Sequence, residues 1–224
     1  MGLARAVAVI LAKELRLEFR SRELLNTTVV FVLLIVVLFS FSFDPTVEES
    51  RRFGPGLLWM AFLFAGSLML QPSFLREQAN DTLHALRMAP VEPFAILLGK
   101  ILANFLLMML AEVLLLPVFA VLYNVQVLPV LAPLLLVFVL GTLGVAVAGT
   151  AFSAISAQAR MREMLLPLLL LPILTPVLIS SVECTAGLLA DPAELKRDWL
   201  QYLIGFDVIF LAASYLLCDY LLEE

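Results

Sequence analysis

Residues 165–179 read LLPLLLLPILTPVLI, a stretch that has no charged side chain and carries prolines at positions 167, 172 and 176. Such a surface would aggregate in water. Lipid requires only that backbone polar groups be bonded internally, and neighbouring helices can satisfy the groups that each proline frees. The stretch therefore predicts a membrane-spanning helix, which the three prolines are expected to break or kink so that helices can move relative to one another.

The rest of the chain has the same apolar character. Of its 224 residues, 62% are hydrophobic and 15% are charged, and the mean hydropathy of +1.04 is that of a membrane protein rather than a soluble domain. A spanning helix needs about 20 predominantly apolar residues, and six blocks qualify. They lie at roughly residues 24–43, 56–75, 97–122, 128–155, 163–183 and 200–221. We therefore predict an all-α membrane protein with a single transmembrane domain over residues 1–224.

Lysine and arginine are concentrated in alternate connectors, and basic segments resist translocation across the membrane. Ten basic residues fall on one predicted side: Arg5, Lys13, Arg16, Arg20, Arg22, Arg76, Arg87, Lys100, Arg160 and Arg162. The other side holds Arg51, Arg52, Lys196 and Arg197 among acidic neighbours. This asymmetry predicts that both termini are cytoplasmic. The formal net charge of −5 gives no indication of nucleic-acid binding, which favours a basic patch.

The segment 2–22 has the pattern of an amphipathic helix lying in the cytoplasmic interface. Its apolar residues recur at every fourth position: Leu3, Val7, Leu11, Leu15 and Phe19. Its second half is highly charged, with Lys13, Glu14, Arg16, Glu18, Arg20 and Arg22. The alternative is a basic flank that only sets the orientation of the first spanning helix.

The connector 76–90 is too polar to insert into a membrane, yet it has helical periodicity. Ala79, Leu83 and Leu86 share one face, and Pro90 would end the helix. A short cytoplasmic helix with an exposed apolar stripe fits docking into a groove of a partner protein. The alternative is a connector that packs on its own bundle.

Polar residues inside the predicted spans are few, and a charged group near a helix centre costs about 2.5 to 3.5 kcal/mol on insertion scales. The candidates are Gln71, Asn104, Glu112 and Asp207. Each is interpreted either as part of a cavity or partner interface, or as a structural group bonded within the bundle. Helix four, GTLGVAVAGTAFSA at 141–154, has small residues at four-residue spacing, which indicates close packing within the bundle or against another subunit.

Catalytic and metal-binding patterns are missing from the sequence. It has no phosphate-binding loop, no nucleophile elbow and no cluster of histidine, cysteine and carboxylate with metal-ligand spacing. The single histidine, His84, lies in the predicted cytoplasmic helix, and Cys184 and Cys218 fall at opposite ends of the membrane core, too far apart to pair. We therefore expect a non-catalytic protein without a metal site. An intramembrane enzyme is disfavoured because it would need a nucleophile and a base.

Several segments resemble the permeases of type-2 ABC exporters, and in particular the CcmB family of the cytochrome c maturation system. They are KELRLEFRSRELL at 13–25, FSFSF at 39–43, GLLWM at 56–60, FLREQANDTLHALRMAPVEPF at 74–94, GKILANF at 99–105, and the run from GTLGVAVAGT to MREMLLPLLLLPILTPVLI across 141–179. The pattern at 76–90 is shared by many type-2 permeases. The proline-leucine block and the charged start of helix one are more specific.

The resemblance implies a permease fold with an N-terminal elbow helix at 2–22, six spanning helices, and a coupling helix at 76–90 that contacts a separate ATPase. In that arrangement Leu83 and Leu86 would insert into the ATPase groove. The charged residues Arg76, Glu77, Asp81 and Arg87 would set the register at its rim. The resemblance also implies a CcmA-like ATPase that binds the ATP, and partnership with CcmC, CcmD and the haem chaperone CcmE in the bacterial inner membrane.

The function implied is the membrane subunit of an ATP-driven complex for cytochrome c biogenesis, which would export haem or release haem-loaded CcmE. No cofactor is assigned to this chain itself, and haem is a candidate ligand of the complex. The alternative is a type-2 exporter permease for another cargo, such as a drug, a lipid or a polysaccharide. A homodimer enclosing a substrate path would favour that alternative.

Overall fold

The computed structural model describes residues 2–42, 47–79, 91–157 and 162–222, and this part of the chain is helical, without strands. The helices are α1 (Leu3–Ser21), α2 (Glu23–Ser42), α3 (Val47–Leu70), α4 (Pro72–Ala79), α5 (Pro93–Leu122), α6 (Leu131–Ala157), α7 (Arg162–Leu189) and α8 (Arg197–Leu222). A 3₁₀ turn, Leu128–Val130, precedes α6. The predicted all-α class is confirmed.

Within the described residues, six helical segments are long and apolar enough to cross a membrane, judged by length and composition. They are Glu23–Phe41, Glu49–Leu75, Pro93–Leu122, Leu128–Ser156, Leu168–Leu189 and Arg197–Tyr220. Each overlaps one of the six apolar blocks in the sequence. The segment predicted as an elbow helix is also helical, as α1, whereas its position in the membrane interface stays a prediction.

Helix α6 lies at the centre of the bundle and packs against α3, α5, α7 and α8. Its glycines make these contacts close: a methyl group at Gly141 would collide with Trp59 of α3, and one at Gly144 would lie 2.9 Å from a carboxylate oxygen of Asp207 on α8. A methyl group at Gly149 would likewise collide with Leu70. These small residues therefore serve packing within the chain, one of the two interpretations that the sequence left open.

Helix α7 is continuous from Arg162 to Leu189, through all three prolines. The expectation that they would break the helix is wrong, while a kink stays a prediction. Each proline removes one backbone hydrogen bond, but a full break in lipid would leave several polar groups unsatisfied. The Thr175 hydroxyl donates to the Leu171 carbonyl oxygen at 2.8 Å, a bond that often accompanies bending.

The loops predicted to share one membrane face meet at one end of the bundle. A guanidinium nitrogen of Arg51, in the first turns of α3, lies 3.6 Å from a carboxylate oxygen of Asp191, which follows α7. Deeper at this end, the indole N–H of Trp59 donates to the Thr185 hydroxyl at 3.0 Å. At the opposite end, α1 packs against α5.

Candidate coupling site at a buried polar junction

The chain turns sharply between α1 and α2, and two residues of the charged N-terminal segment make this turn. Arg22 has a left-handed backbone, with a φ of 54°, and its N–H donates to the Glu18 carbonyl oxygen at the end of α1. The Glu18 carboxylate is buried and accepts the Leu25 N–H at 2.9 Å. A carboxylate at the first turn of α2 accepts a hydrogen bond from a backbone N–H that has no partner within the helix. Its negative charge also interacts favourably with the positive end of the helix dipole. Glu18 therefore caps α2 from the preceding helix.

Lys100 is a buried cation near the start of α5, with a side chain only 1% exposed. Its Nζ lies 3.0 Å from Oε1 of Glu14 on α1 and also donates to the Ser73 carbonyl oxygen on α4. The same nitrogen lies 4.7 Å from the centre of the Phe74 ring, within range of a cation–π interaction. A buried charge that loses its partners is costly, so separating these helices would be unfavourable. The contacts of Lys100 therefore hold α1, α4 and α5 together.

One turn further along α5, the Asn104 side-chain amide extends this polar contact to α6. Its Nδ2 donates to the Ser73 hydroxyl at 3.1 Å and to the Thr150 hydroxyl at 2.9 Å. Asn104 and Thr150 are both buried. We name Glu14, Ser73, Lys100, Asn104 and Thr150 the polar junction. It joins four helices at the end of the bundle where α4 leads into residues 80–90.

The two lysines decide the charge state of Glu14. Burial acts to raise the pKa of this carboxyl, but Lys100 and Lys13 oppose it, and the resulting pKa lies below the ordinary value of 4.5. Glu14 is therefore ionised at neutral pH. Lys13, at 3.2 Å from the same oxygen, is 40% exposed, so water screens its contribution more than that of Lys100.

The predicted coupling residues lie mostly outside the described part of the chain. Arg76 and Glu77 fall in α4, where the backbone is helical, as predicted for the start of the segment 76–90. Asp81, Leu83, Leu86 and Arg87 lie outside the described residues, as does His84. Docking of this segment on a partner stays a prediction.

The predicted intramembrane polar residues have different environments. Asn104 belongs to the polar junction, and half-buried Gln71 lies at the turn between α3 and α4. Both carboxylate oxygens of Glu112 lie 2.7 Å from the Thr142 hydroxyl of α6. Asp207 is 4% exposed, and neither of its carboxylate oxygens has a hydrogen-bond partner among the residues described. The two acids thus contact α6 from different helices.

In the segment 2–22, Glu14 and Glu18 make the inter-helix contacts described above. The side chains of Arg16 and Arg20 in α1, and of Arg22 just after it, are exposed. Sequence reasoning missed Lys100, Ser73 and Thr150 as site residues. Lys100 entered the charge count for orientation and the GKILANF segment of the resemblance, but not the list of site residues. A lysine within the first turns of an apolar helix is costly unless paired, and this was a usable signal. Ser73 and Thr150 carry no such signal, because each is an ordinary small polar residue.

The described part of the chain holds no group of three or more histidine, cysteine, aspartate or glutamate side chains that could bind a metal ion. Cys184 and Cys218 are buried free thiols. The polar junction can serve a mechanical role, because it joins four helices through hydrogen bonds and an ion pair. These contacts would break if the helices separated.

Comparison with known proteins places the chain in a family. The family model described as "CcmB protein" matches residues 5–216. The chain is 32% identical over 203 residues to heme exporter protein B of Pseudomonas aeruginosa, covering 90% of each protein. It is 33% identical over 174 residues to heme exporter protein B of Rhodobacter capsulatus, covering 78% of this chain and 79% of the relative. Heme exporter protein B of Bradyrhizobium diazoefficiens is 26% identical over 187 residues. The chain belongs to the CcmB protein family.

Proposed function

We propose that this chain is the permease subunit of a haem export system. It would couple ATP hydrolysis by a separate CcmA-like ATPase to haem export or to release of the haem-loaded chaperone CcmE. The observation that carries this proposal is the match of residues 5–216 to the CcmB family. Relatives named heme exporter protein B support it, because the similarity to them extends over most of their length. The six apolar helices are those that a membrane subunit needs.

The chain would lie in the bacterial inner membrane with both termini in the cytoplasm, beside CcmC-like and CcmD-like membrane proteins. The distribution of lysine and arginine supports this orientation. The Arg51 contact with Asp191 is consistent with it, because it brings together two segments assigned to the outer face, the first turns of α3 and the connector after α7.

The ATPase would bind the segment 76–90, with Leu83 and Leu86 in its groove and Arg76, Glu77, Asp81 and Arg87 around them. The segment begins within α4, and α4 carries Ser73 of the polar junction. A displacement of α4 would therefore pull on Lys100 and Asn104, and through them on α1, α5 and α6. The polar junction is thus suited to carry the movement of the ATPase into the bundle.

The chain itself would be non-catalytic, with haem as a cargo of the complex. ATP would be bound and hydrolysed by the partner ATPase, since the sequence has no phosphate-binding loop. The work of this subunit would be the rearrangement of its helices.

Deletion of the gene in its own host tests the proposal. Covalent haem attachment to c-type cytochromes, measured by haem staining of denaturing gels, should be lost and should return with a plasmid-borne copy. The b-type cytochromes, which bind haem non-covalently, serve as a control and should be unchanged. Normal levels of c-type cytochromes in the deletion strain would contradict the proposal.

A further inference from the structure

An open groove of about 580 Å³ lies where the end of α1, the first turns of α2 and the middle of α5 meet. Its volume is within the range of about 300 to 1,000 Å³ that is common for small-molecule sites. Phe19 forms one side, and Val30 of α2 and Leu114 of α5 line the part furthest along the helices. All three are about half exposed, so the groove is open to the surroundings of the bundle.

The polarity of this groove changes in one direction. Arg22 lines one end, Asn26 follows one turn later on α2, and Val30 follows another turn later. The rise of an α-helix separates Arg22 from Val30 by about 12 Å. A phospholipid has the same order of groups, since its charged phosphate is followed by the glycerol region and then by hydrocarbon.

The Arg22 side chain is available for a ligand. It is exposed and makes no hydrogen bond or ion pair with the described residues. Its left-handed backbone, with a φ of 54°, is fixed by the bond from its N–H to the Glu18 carbonyl oxygen. The neighbouring carboxylate, Glu23, is not among the residues that line the groove. Among the described residues that line the groove, Arg22 is the only charged one, so the charge that they present is positive.

We propose that this groove binds an anionic phospholipid, with Arg22 on the phosphate and an acyl chain along Val30, Leu110 and Leu114. Charge complementarity carries the assignment, because a guanidinium forms paired hydrogen bonds with phosphate oxygens. The basic segment that contains Arg22 is predicted to face the cytoplasm, where a leaflet rich in anionic lipid attracts such segments. A docked apolar helix from another protein would leave the guanidinium without a partner.

Native mass spectrometry of the delipidated full-length chain in mild detergent tests this site, with phosphatidylglycerol and phosphatidylcholine as probes. The wild-type chain should bind phosphatidylglycerol more tightly. Arg22→Gln should weaken phosphatidylglycerol binding about tenfold, the loss expected for one charge-assisted contact, whereas Arg5→Gln should not. Equal affinity for the two lipids, or equal binding by the Arg22→Gln and Arg5→Gln variants, would overturn the proposal.

A second pair of variants tests the location without changing charge. Val30→Trp fills the apolar part of the groove and should also reduce phosphatidylglycerol binding, whereas Val121→Trp, at an exposed position of α5 away from the groove, should not. Unchanged lipid binding by Val30→Trp would overturn the assignment of the site. A second result would also overturn the assignment: the Val30→Trp variant loses a membrane protein partner in a pull-down but keeps its lipid. The occupant of the groove would then be a protein helix.

Discussion

The Nζ of Lys100 lies 3.0 Å from Oε1 of Glu14, and this ion pair connects α5 to the amphipathic helix α1. The two residues are 86 positions apart in sequence. Lys100 is 1% exposed, so the pair is remote from the screening that weakens ion pairs at a surface. The pair therefore has a structural role, and Lys100 also contacts Ser73 on the path that we propose from α4 to the bundle.

We predict that Glu14→Gln destabilises the protein by about 3 kcal/mol, because removing one partner leaves a buried charge with less compensation. Thermal unfolding in detergent measures the change. Lys13→Gln is the matched control and should cost less than about 1 kcal/mol, since this lysine is 40% exposed. The double variant Glu14→Gln with Lys100→Met should be less destabilised than the sum of the single variants. Additive effects would show that the pair contributes nothing.

The lowered pKa of the Glu14 carboxyl predicts that the stability of the protein depends on pH. The pKa of Glu14 is lowered in the folded protein, so the unfolded chain takes up this proton first as the pH falls. The stabilisation is complete above the ordinary value of 4.5 and is lost as the pH falls through the lower, folded value. The difference in melting temperature between wild type and Glu14→Gln should therefore shrink below that pH. A difference that stays constant on acidification would contradict this assignment.

We predict that Asn104→Leu impairs the transmission of movement from the ATPase to the bundle, while the chain still folds and binds the ATPase. The substitution removes the amide that joins the Ser73 and Thr150 hydroxyls, at a cost of about 1 to 3 kcal/mol for the polar groups left unsatisfied. The ATPase should still co-purify, while the yield of c-type cytochromes falls. Gln201→Leu, a similar change at an exposed position of α8, should leave both unchanged. Loss of the ATPase from the Asn104→Leu complex would contradict a role in transmission.

Gly141→Ala should be strongly destabilising, because the added methyl group would collide with the Trp59 ring. That ring cannot move easily: its N–H is bonded to Thr185, and Phe62 and Phe138 pack edge-to-face against it, with ring centroids 5.8 and 5.7 Å away. We expect a loss of about 1 to 3 kcal/mol, typical of an overpacked core. Gly205→Ala, with no atom within 4 Å of the added carbon, should be neutral or stabilising. Equal melting temperatures for the two variants would contradict the packing of α6 against Trp59.

The spanning helices and α1 could be predicted because their signals are local. An apolar block of sufficient length, or an apolar residue at every fourth position, specifies a helix without knowledge of its neighbours. The small residues of α6 likewise indicated close packing. The sequence could not say whether the neighbours belonged to this chain, and the structure places Trp59 and Asp207 against Gly141 and Gly144.

The contacts of the polar junction could not be predicted, since they depend on tertiary packing. Nothing near Lys100 in sequence identifies Glu14 as its partner, and Glu18 shows its capping role only once α2 folds back from α1. The expectation that the three prolines would break α7 was wrong for a related reason, since it also neglected the surroundings of the helix. Helix-breaking tendencies measured in water do not account for the cost of exposing backbone polar groups in lipid.

The most direct test of the proposed function is a pull-down of the tagged full-length chain in mild detergent, with its partners identified by mass spectrometry. We predict recovery of a small ABC ATPase together with CcmC-like and CcmD-like membrane proteins. The double variant Leu83→Asp with Leu86→Asp should lose the ATPase and keep the membrane partners, whereas Leu128→Asp, in the exposed turn before α6, should keep both. Recovery of an ATPase alone, with no haem-handling protein, would contradict the haem export assignment, and an ATPase retained by the double variant would contradict docking through residues 76–90.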